Sequence, residues 1–182
     1  RAGIDAAGLA PTALVGLAMA LWPAHQPDPG LALLCLAAAV IHSGRLAQWQ
    51  GWKTLGVPLL WSMHLSYLCI PLALFGLAIT GGDPAASKNV IHLLAIGSIG
   101  GMILAMMSRV SLGHTGRPLE VPGYLALAFA LIMLAAVIRS VLPLAAPGMT
   151  LLWWQVSALL WIMVFGIFLY RYLPILTRPR AD

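Results

Sequence analysis

The chain has 182 residues, of which 61% are hydrophobic and only 8% are charged, and its formal net charge is +5. A soluble domain carries about a quarter charged residues, so the composition excludes an ordinary water-soluble domain and predicts an integral membrane protein. In such a protein Lys and Arg mark the cytoplasmic side of the membrane, and the positive charge gives no reason to expect nucleic acid as a partner.

Six apolar segments follow one another along the chain, each close to the ~20 residues that cross a bilayer as a helix. Stretches rich in Pro and Gly separate several of them and predict turns: WPAHQPDPG, GGDPAASK and PLAAPGM. We expect an all-α polytopic membrane protein, a single six-helix bundle over residues 1–182. The predicted transmembrane helices are residues 2–21, 31–48, 57–80, 89–108, 123–142 and 150–172.

Basic residues are unevenly divided between the two ends of the predicted bundle. With six spans both termini lie on one side, and only Lys88 and Arg139 fall on the opposite side. Arg139 is close enough to the end of its helix to reach the interface. The positive-inside rule therefore places both termini in the cytoplasm. The basic residues on that side are Arg1, Arg45, Lys53, Arg109, Arg117, Arg171, Arg178 and Arg180.

Histidines are rare in membrane helices, so His42 and His64 need an explanation. They lie on consecutive, antiparallel predicted helices, each about 10 Å from the cytoplasmic end at 1.5 Å per residue. Equal depth makes a shared metal centre possible, since neutral imidazole is a common ligand of haem iron and copper. The alternative is a pair of histidines that only hydrogen-bond between helices.

The fourth segment carries His92 near its outer end and the glycines Gly97 and Gly101 along its length. His92 is either a copper or haem ligand or an interfacial histidine. The spacing of the glycines favours close helix–helix packing. The alternative is a flat surface that admits a porphyrin.

A short basic loop, GHTGR, follows the fourth segment and contains His114 and Arg117. Its glycines would allow backbone amides to converge on an anion such as a propionate. The alternative is a turn whose arginines simply obey the positive-inside rule.

Cys35 and Cys69 lie in neighbouring predicted helices but at different depths. The difference is ~9 Å at helical rise. It exceeds the ~7 Å that two Cα atoms joined by a disulfide can span. We therefore predict free thiols.

Three stretches resemble the NnrS family of bacterial membrane proteins. They are HLLAIGSIGGMILAMMSRVSLGHTGRPL at residues 92–119, PLLWSMHLSYLCIP at residues 58–71, and His42 together with RLAQWQGWK at residues 45–53. The GHTGRPL string is the most specific of these, and the other three segments match only in hydropathy. The chain is similar to the C-terminal six helices of a twelve-helix family member.

The resemblance implies a haem- and copper-containing protein of the bacterial inner membrane that acts in the nitric oxide response or in nitrosative-stress protection during denitrification. Its ligands would be nitric oxide or metal–nitrosyl species. The implied cofactor-binding residues are His42, Arg45, His64, His114 and Arg117, with Arg45 near a haem propionate. The implied metal ligands are His42, His64 and His92. The partners would be the lipid bilayer and the N-terminal six-helix half or a second copy.

The sequence contains no GxSxG, Walker A, HExxH or CxxC motif and no carboxylate pair in its apolar segments. These absences argue against an ordinary hydrolase or a nucleotide-driven pump and leave open whether the protein is an enzyme. The alternatives to a haem and copper protein are a transporter or permease half whose histidines line a proton or solute path, and a structural subunit with no site of its own.

Overall fold

The computed structural model describes residues 10, 12–17 and 29–181, and all regular secondary structure in these residues is helical. Residues 10 and 12–17 are helical and belong to the first predicted segment, whose remainder lies outside the described residues. Arg1 and most of the loop after this segment, including His25, also lie outside the described residues. The helices are α1 (Pro29–Gln48), α2 (Pro58–Thr80), α3 (Pro84–His92), α4 (Gly101–His114), α5 (Gly123–Ser140), α6 (Leu142–Ala145) and α7 (Thr150–Thr177). Short 3₁₀ segments lie at Gly51–Thr54 and Pro147–Met149, and a π-helical segment, Leu93–Gly100, joins α3 to α4.

Five stretches of the described residues are long and apolar enough to cross a membrane. They confirm the all-α, multi-pass architecture, and their positions match the last five of the six predicted segments. The number of spans and the side on which the termini lie stay predictions. The five stretches are Pro29–Gln48, Pro58–Thr80, Pro84–His114, Gly123–Ala145 and Pro147–Thr177.

The start of the third stretch corrects the sequence prediction, because GGDPAASK is a turn only in its first three residues. Asp83 caps α3: its side-chain Oδ1 accepts hydrogen bonds from the amides of Ala85 at 2.8 Å and Ala86 at 3.2 Å. Pro84 then occupies the first helical turn, where its missing N–H costs nothing. An Asp cap followed by Pro is a helix-start signal, so the helix begins five residues earlier than predicted.

Two clusters of buried side chains hold the helices together. The first packs α1 against the second half of α2, α3 and the π segment, with Cys35, Ala38, Cys69 and Leu74 among its members. The second packs α4, α5 and α7 around Phe129, with the start of α2 at its edge. Cys35 and Cys69 are both buried free thiols, as predicted.

The outer surface of the bundle is apolar. Leu33, Ile79 and Leu151 are each about two-thirds exposed, at 67%, 70% and 67%. An exposed apolar surface of this extent is unfavourable in water and is normal for helices that face lipid. The fold therefore agrees with a membrane location.

The π segment passes very close to α2 and α5. A Cβ atom at Gly97 would lie 2.5 Å from Sγ of Cys69 and 3.2 Å from Cβ of Ala136. At Gly101, the first residue of α4, a Cβ atom would overlap the side chains of Met133 and Ser66. Both glycines thus serve close helix packing, which confirms that prediction over the flat porphyrin surface.

Candidate functional site

His42 is a buried residue of α1, with 5% of its surface exposed, and both of its ring nitrogens are hydrogen-bonded. Nδ1 lies 2.7 Å from the hydroxyl of Tyr67 on α2, and Nε2 lies 2.7 Å from the hydroxyl of Thr12. The imidazole therefore joins α1 to α2 and to the helical residues 12–17. If Tyr67 accepts the Nδ1 proton, the lone pair of Nε2 accepts the hydrogen bond from Thr12.

His64 lies two turns into α2 and is oriented by its own helix. Its Nδ1 is 2.8 Å from the carbonyl oxygen of Leu60. Because a carbonyl oxygen only accepts, Nδ1 of the neutral ring carries the proton and Nε2 keeps its lone pair. Among the described residues none hydrogen-bonds this Nε2. A backbone carbonyl on one ring nitrogen and a lone pair on the other is the usual arrangement of a metal-ligating histidine.

Gly51 allows the loop after α1 to press against the His64 ring. A Cβ atom at this glycine would lie 2.8 Å from Cδ2 of His64 and 3.0 Å from its Cγ. A real Cβ atom essentially never comes within 3.0 Å of a non-bonded atom, so any larger residue would displace the ring or the loop. The sequence does not single out Gly51, because nothing in it places this glycine beside α2.

The side chain of His64 lines a cavity of about 350 Å³ between the end of α1, the Gly51–Thr54 turn and the first half of α2. The walls are mostly aliphatic and aromatic, and only Ser43 adds another polar side chain. Ligand sites in proteins combine such apolar walls with one or two polar groups. The other lining residues are Leu46, Ala47, Gly51, Trp52, Leu55, Trp61, Leu65 and Leu68.

Aromatic contacts connect the two predicted metal ligands. The ring of His42 is 5.6 Å from that of Tyr67 between centroids, Tyr67 is 4.6 Å from Trp49, and Trp49 is 6.1 Å from His64. The guanidinium of Arg45 lies 5.5 Å from the centroid of the same Trp49 ring. The predicted residues are therefore grouped around Trp49, and a metal centre shared by both histidines stays a prediction.

His92 lies in a different part of the bundle, at the end of α3 where the π segment begins. Its Nδ1 is 2.7 Å from the carbonyl oxygen of Lys88, so its orientation resembles that of His64. It lines a second cavity, of about 750 Å³, which does not include His42 or His64. The described residues contain no group of three His, Cys, Asp or Glu side chains that could hold a metal ion.

His114 is the last residue of α4, which ends six residues later than predicted, and Arg117 lies in the turn that caps this helix. The amide of Thr115 donates to the carbonyl of Ser111 at 3.3 Å, and that of Arg117 donates to the carbonyl of Leu112 at 3.0 Å. Gly116 has a φ of 70° and its own amide donates to the carbonyl of Gly113. These amides end α4, and the binding of an anion by this loop stays a prediction. His114 itself is exposed.

Arg139 is a residue whose surroundings the sequence did not indicate. Its Nη1 donates to Oδ1 of Asn89 at 2.8 Å, and its guanidinium carbon lies 4.3 Å from the centroid of the Trp154 ring. Arg139 thus contacts α3 and α7, and its extension to the interface stays a prediction. Asn89 and Trp154 are 50 and 15 positions away from Arg139 in the sequence, so no local pattern could reveal these contacts.

Comparison with known proteins gives one family. The model of the NnrS protein family matches residues 1–180. No curated protein and no solved structure matches the chain.

Proposed function

Because the chain belongs to the NnrS family, we propose that it is a haem- and copper-containing inner-membrane protein of the bacterial nitric oxide response. The match over residues 1–180 and the five apolar helices support a multi-pass membrane protein of this kind. The observation that carries the haem assignment is the Nε2 lone pair of His64, which has an apolar and aromatic cavity beside it.

His64 would hold haem iron through Nε2 without reorienting its ring. Its ring is held by the Leu60 carbonyl and by the close approach of Gly51, so the direction of Nε2 is fixed. The indoles of Trp52 and Trp61 offer apolar surface to a porphyrin. When bound, haem iron would supply the coordination position at which nitric oxide binds.

His42 fits a ligand only if Nε2 exchanges its hydrogen bond with Thr12 for the metal. The bond from Nδ1 to Tyr67 can remain and would orient the ring. Arg45, on the next turn of α1, would then supply the positive charge for a propionate. We assign the exposed His114 and the half-buried Arg117 to the same role, as hydrogen-bond donors to a propionate at the end of the bundle where most of the basic residues lie.

The described residues do not supply a full set of copper ligands. His92 stays our proposed copper ligand, and the other ligands would come from outside these residues. A twelve-helix protein of which this chain is the C-terminal half, or a second copy of the chain, would provide them. We further propose six spans with both termini in the cytoplasm, from the eight-to-two division of basic residues.

The test is the absorbance spectrum of the purified chain before and after addition of nitric oxide. We expect a Soret band that shifts with nitric oxide, and we expect His64→Ala to remove or shift it. His42→Ala should also change the band, whereas Arg45→Ala should mainly weaken haem retention. His25→Ala is the matched control and should leave the spectrum unchanged. Full haem content and an unchanged spectrum in both His42→Ala and His64→Ala would refute the ligand assignment.

A transporter half is the second candidate, and the buried Thr12–His42–Tyr67 network favours it. Three polar side chains hydrogen-bonded in series inside an apolar bundle can pass a proton between them. This candidate predicts purified protein without a Soret band and proton flux into liposomes that Tyr67→Phe abolishes. A Soret band with no such flux would exclude it.

A further inference from the structure

The cavity of about 750 Å³ that His92 lines lies between α3, α5, α6 and α7. This cavity and the His64 cavity lie at opposite ends of the bundle. The first half of α2 lines the His64 cavity, whereas α2 ends at Thr80, three residues before Asp83, which lines this one. Its walls are mainly apolar, and Ile91, Pro143 and Leu144 are examples. The polar side chains that line it are those of Asp83, Lys88, Asn89, His92, Arg139 and Thr150.

Arg139 and Lys88 place two positive charges on this cavity, and Asp83 is the one carboxylate among its lining residues. The partners of Arg139 are the neutral Asn89 amide and the face of Trp154, and no described carboxylate pairs with it. The hydrogen bonds of the Asp83 carboxylate go to the amides of Ala85 and Ala86, which cap α3. A half-buried guanidinium is costly in an apolar bundle unless an anion accompanies it.

The distribution of charge along the whole chain makes this cavity exceptional. Eight of the ten Lys and Arg residues belong to one end of the predicted bundle, where the positive-inside rule accounts for them. The remaining two, Lys88 and Arg139, both line this one cavity. The rule disfavours basic residues at that end, so another reason must keep two of them together.

We propose that this cavity binds the phosphate group of an anionic amphiphile, with Arg139 and Lys88 as the cations that hold it. Asn89 fixes the plane of the guanidinium and Trp154 covers one of its faces, which leaves its remaining N–H groups for phosphate oxygens. The volume of the cavity lies within the range of small-molecule sites. Leu144, which lines the cavity and is 39% exposed, offers apolar surface on which an acyl chain can lie.

The bound phosphate group can belong to a membrane phospholipid or be free phosphate, and the experiment separates these two sources. The full chain in neutral detergent is titrated with phosphatidylglycerol, with phosphatidylcholine and with inorganic phosphate, and bound molecules are counted by native mass spectrometry. We expect preferential binding of one phosphatidylglycerol. A lipid source predicts that millimolar inorganic phosphate does not displace it, and a free-phosphate source predicts that it does.

Two lysines provide a matched pair of variants, because both are exposed and both lose one charge on replacement by Gln. Lys88→Gln should weaken phosphatidylglycerol binding about fivefold, whereas Lys53→Gln, at the other end, should leave it unchanged. Arg139→Gln should weaken it about tenfold or more. If Arg139→Gln fails to fold, the two lysine variants still test the proposal. Equal binding of both lipids, or equal effects of the two lysine variants, would overturn the proposal.

Discussion

The hydroxyl of Tyr67 lies 2.7 Å from Nδ1 of His42, and this buried contact joins α1 to α2 inside the apolar bundle. The two residues are 25 positions apart, and each is at least nine-tenths buried. A polar imidazole in such surroundings needs partners on its ring nitrogens, since an unsatisfied buried group costs about 1–3 kcal/mol.

Tyr67→Phe removes this partner while keeping the aromatic contact with Trp49. We expect a loss of about 1–3 kcal/mol in the free energy of unfolding, because Nδ1 of His42 is left without the Tyr67 hydroxyl. Thermal unfolding in detergent measures it. Tyr124→Phe is the control, since Tyr124 is 44% exposed and removal of its hydroxyl should have little effect. Equal melting temperatures for both variants would show that the contact adds nothing to stability.

Two glycines of the fourth predicted segment should not tolerate a methyl group. Gly97→Ala places Cβ against Cys69 and Ala136, and Gly101→Ala places it against Met133 and Ser66. Overpacking of this kind costs about 1–3 kcal/mol. Gly166→Ala on α7 is the control, because no described atom outside its own helix backbone lies within 4 Å of the position that its methyl group would take, and Ala is the better helix former. A loss of stability at Gly166 equal to that at Gly97 would contradict the packing role.

Much of the fold follows from the sequence because apolar length and Pro- or Gly-rich breaks are local signals. The last five predicted segments coincide with helices, and α7 extends only five residues further, to Thr177. The early start of α3 is also encoded locally, in the Asp83–Pro84 pair, although the Pro- and Gly-rich composition around it favoured a turn. The π segment and the Arg139–Trp154 contact depend on packing between distant residues, so no pattern in the sequence reports them.

The candidate site is predictable in its residues more than in its geometry. His42, Arg45 and His64 stand out because polar side chains are rare in apolar helices, and the structure groups them around Trp49. The depth of each histidine can be counted from the sequence. The direction of each ring cannot, because it depends on Thr12, Tyr67 and the Leu60 carbonyl.

The orientation of the bundle is testable with single cysteines in intact cells. Pro118→Cys, in the exposed loop after α4, should resist a membrane-impermeant thiol reagent because the positive-inside rule places that loop in the cytoplasm. Ala85→Cys, exposed in the first turn of α3, should react. Cys35 and Cys69 are buried and give the unlabelled background. Labelling of Pro118→Cys without labelling of Ala85→Cys would reverse the orientation.

The close approach of Gly51 to His64 gives the sharpest test of the proposed haem ligand. Gly51→Ala introduces a methyl group 2.8 Å from Cδ2 of the imidazole, so the ring or the loop must move to relieve the contact. A ligand held in the wrong direction binds metal more weakly, and loss of its supporting contacts typically costs about 10–100-fold in affinity. We therefore expect Gly51→Ala to lower haem content or to shift the Soret band.

Gly56→Ala is a matched control five residues away, because no described atom outside its chain neighbours lies within 4 Å of its methyl position. It should bind haem as the unmodified chain does. If both variants retain the same haem content and the same spectrum while His64→Ala also does, His64 is not the ligand, and the packing of Gly51 serves the loop alone.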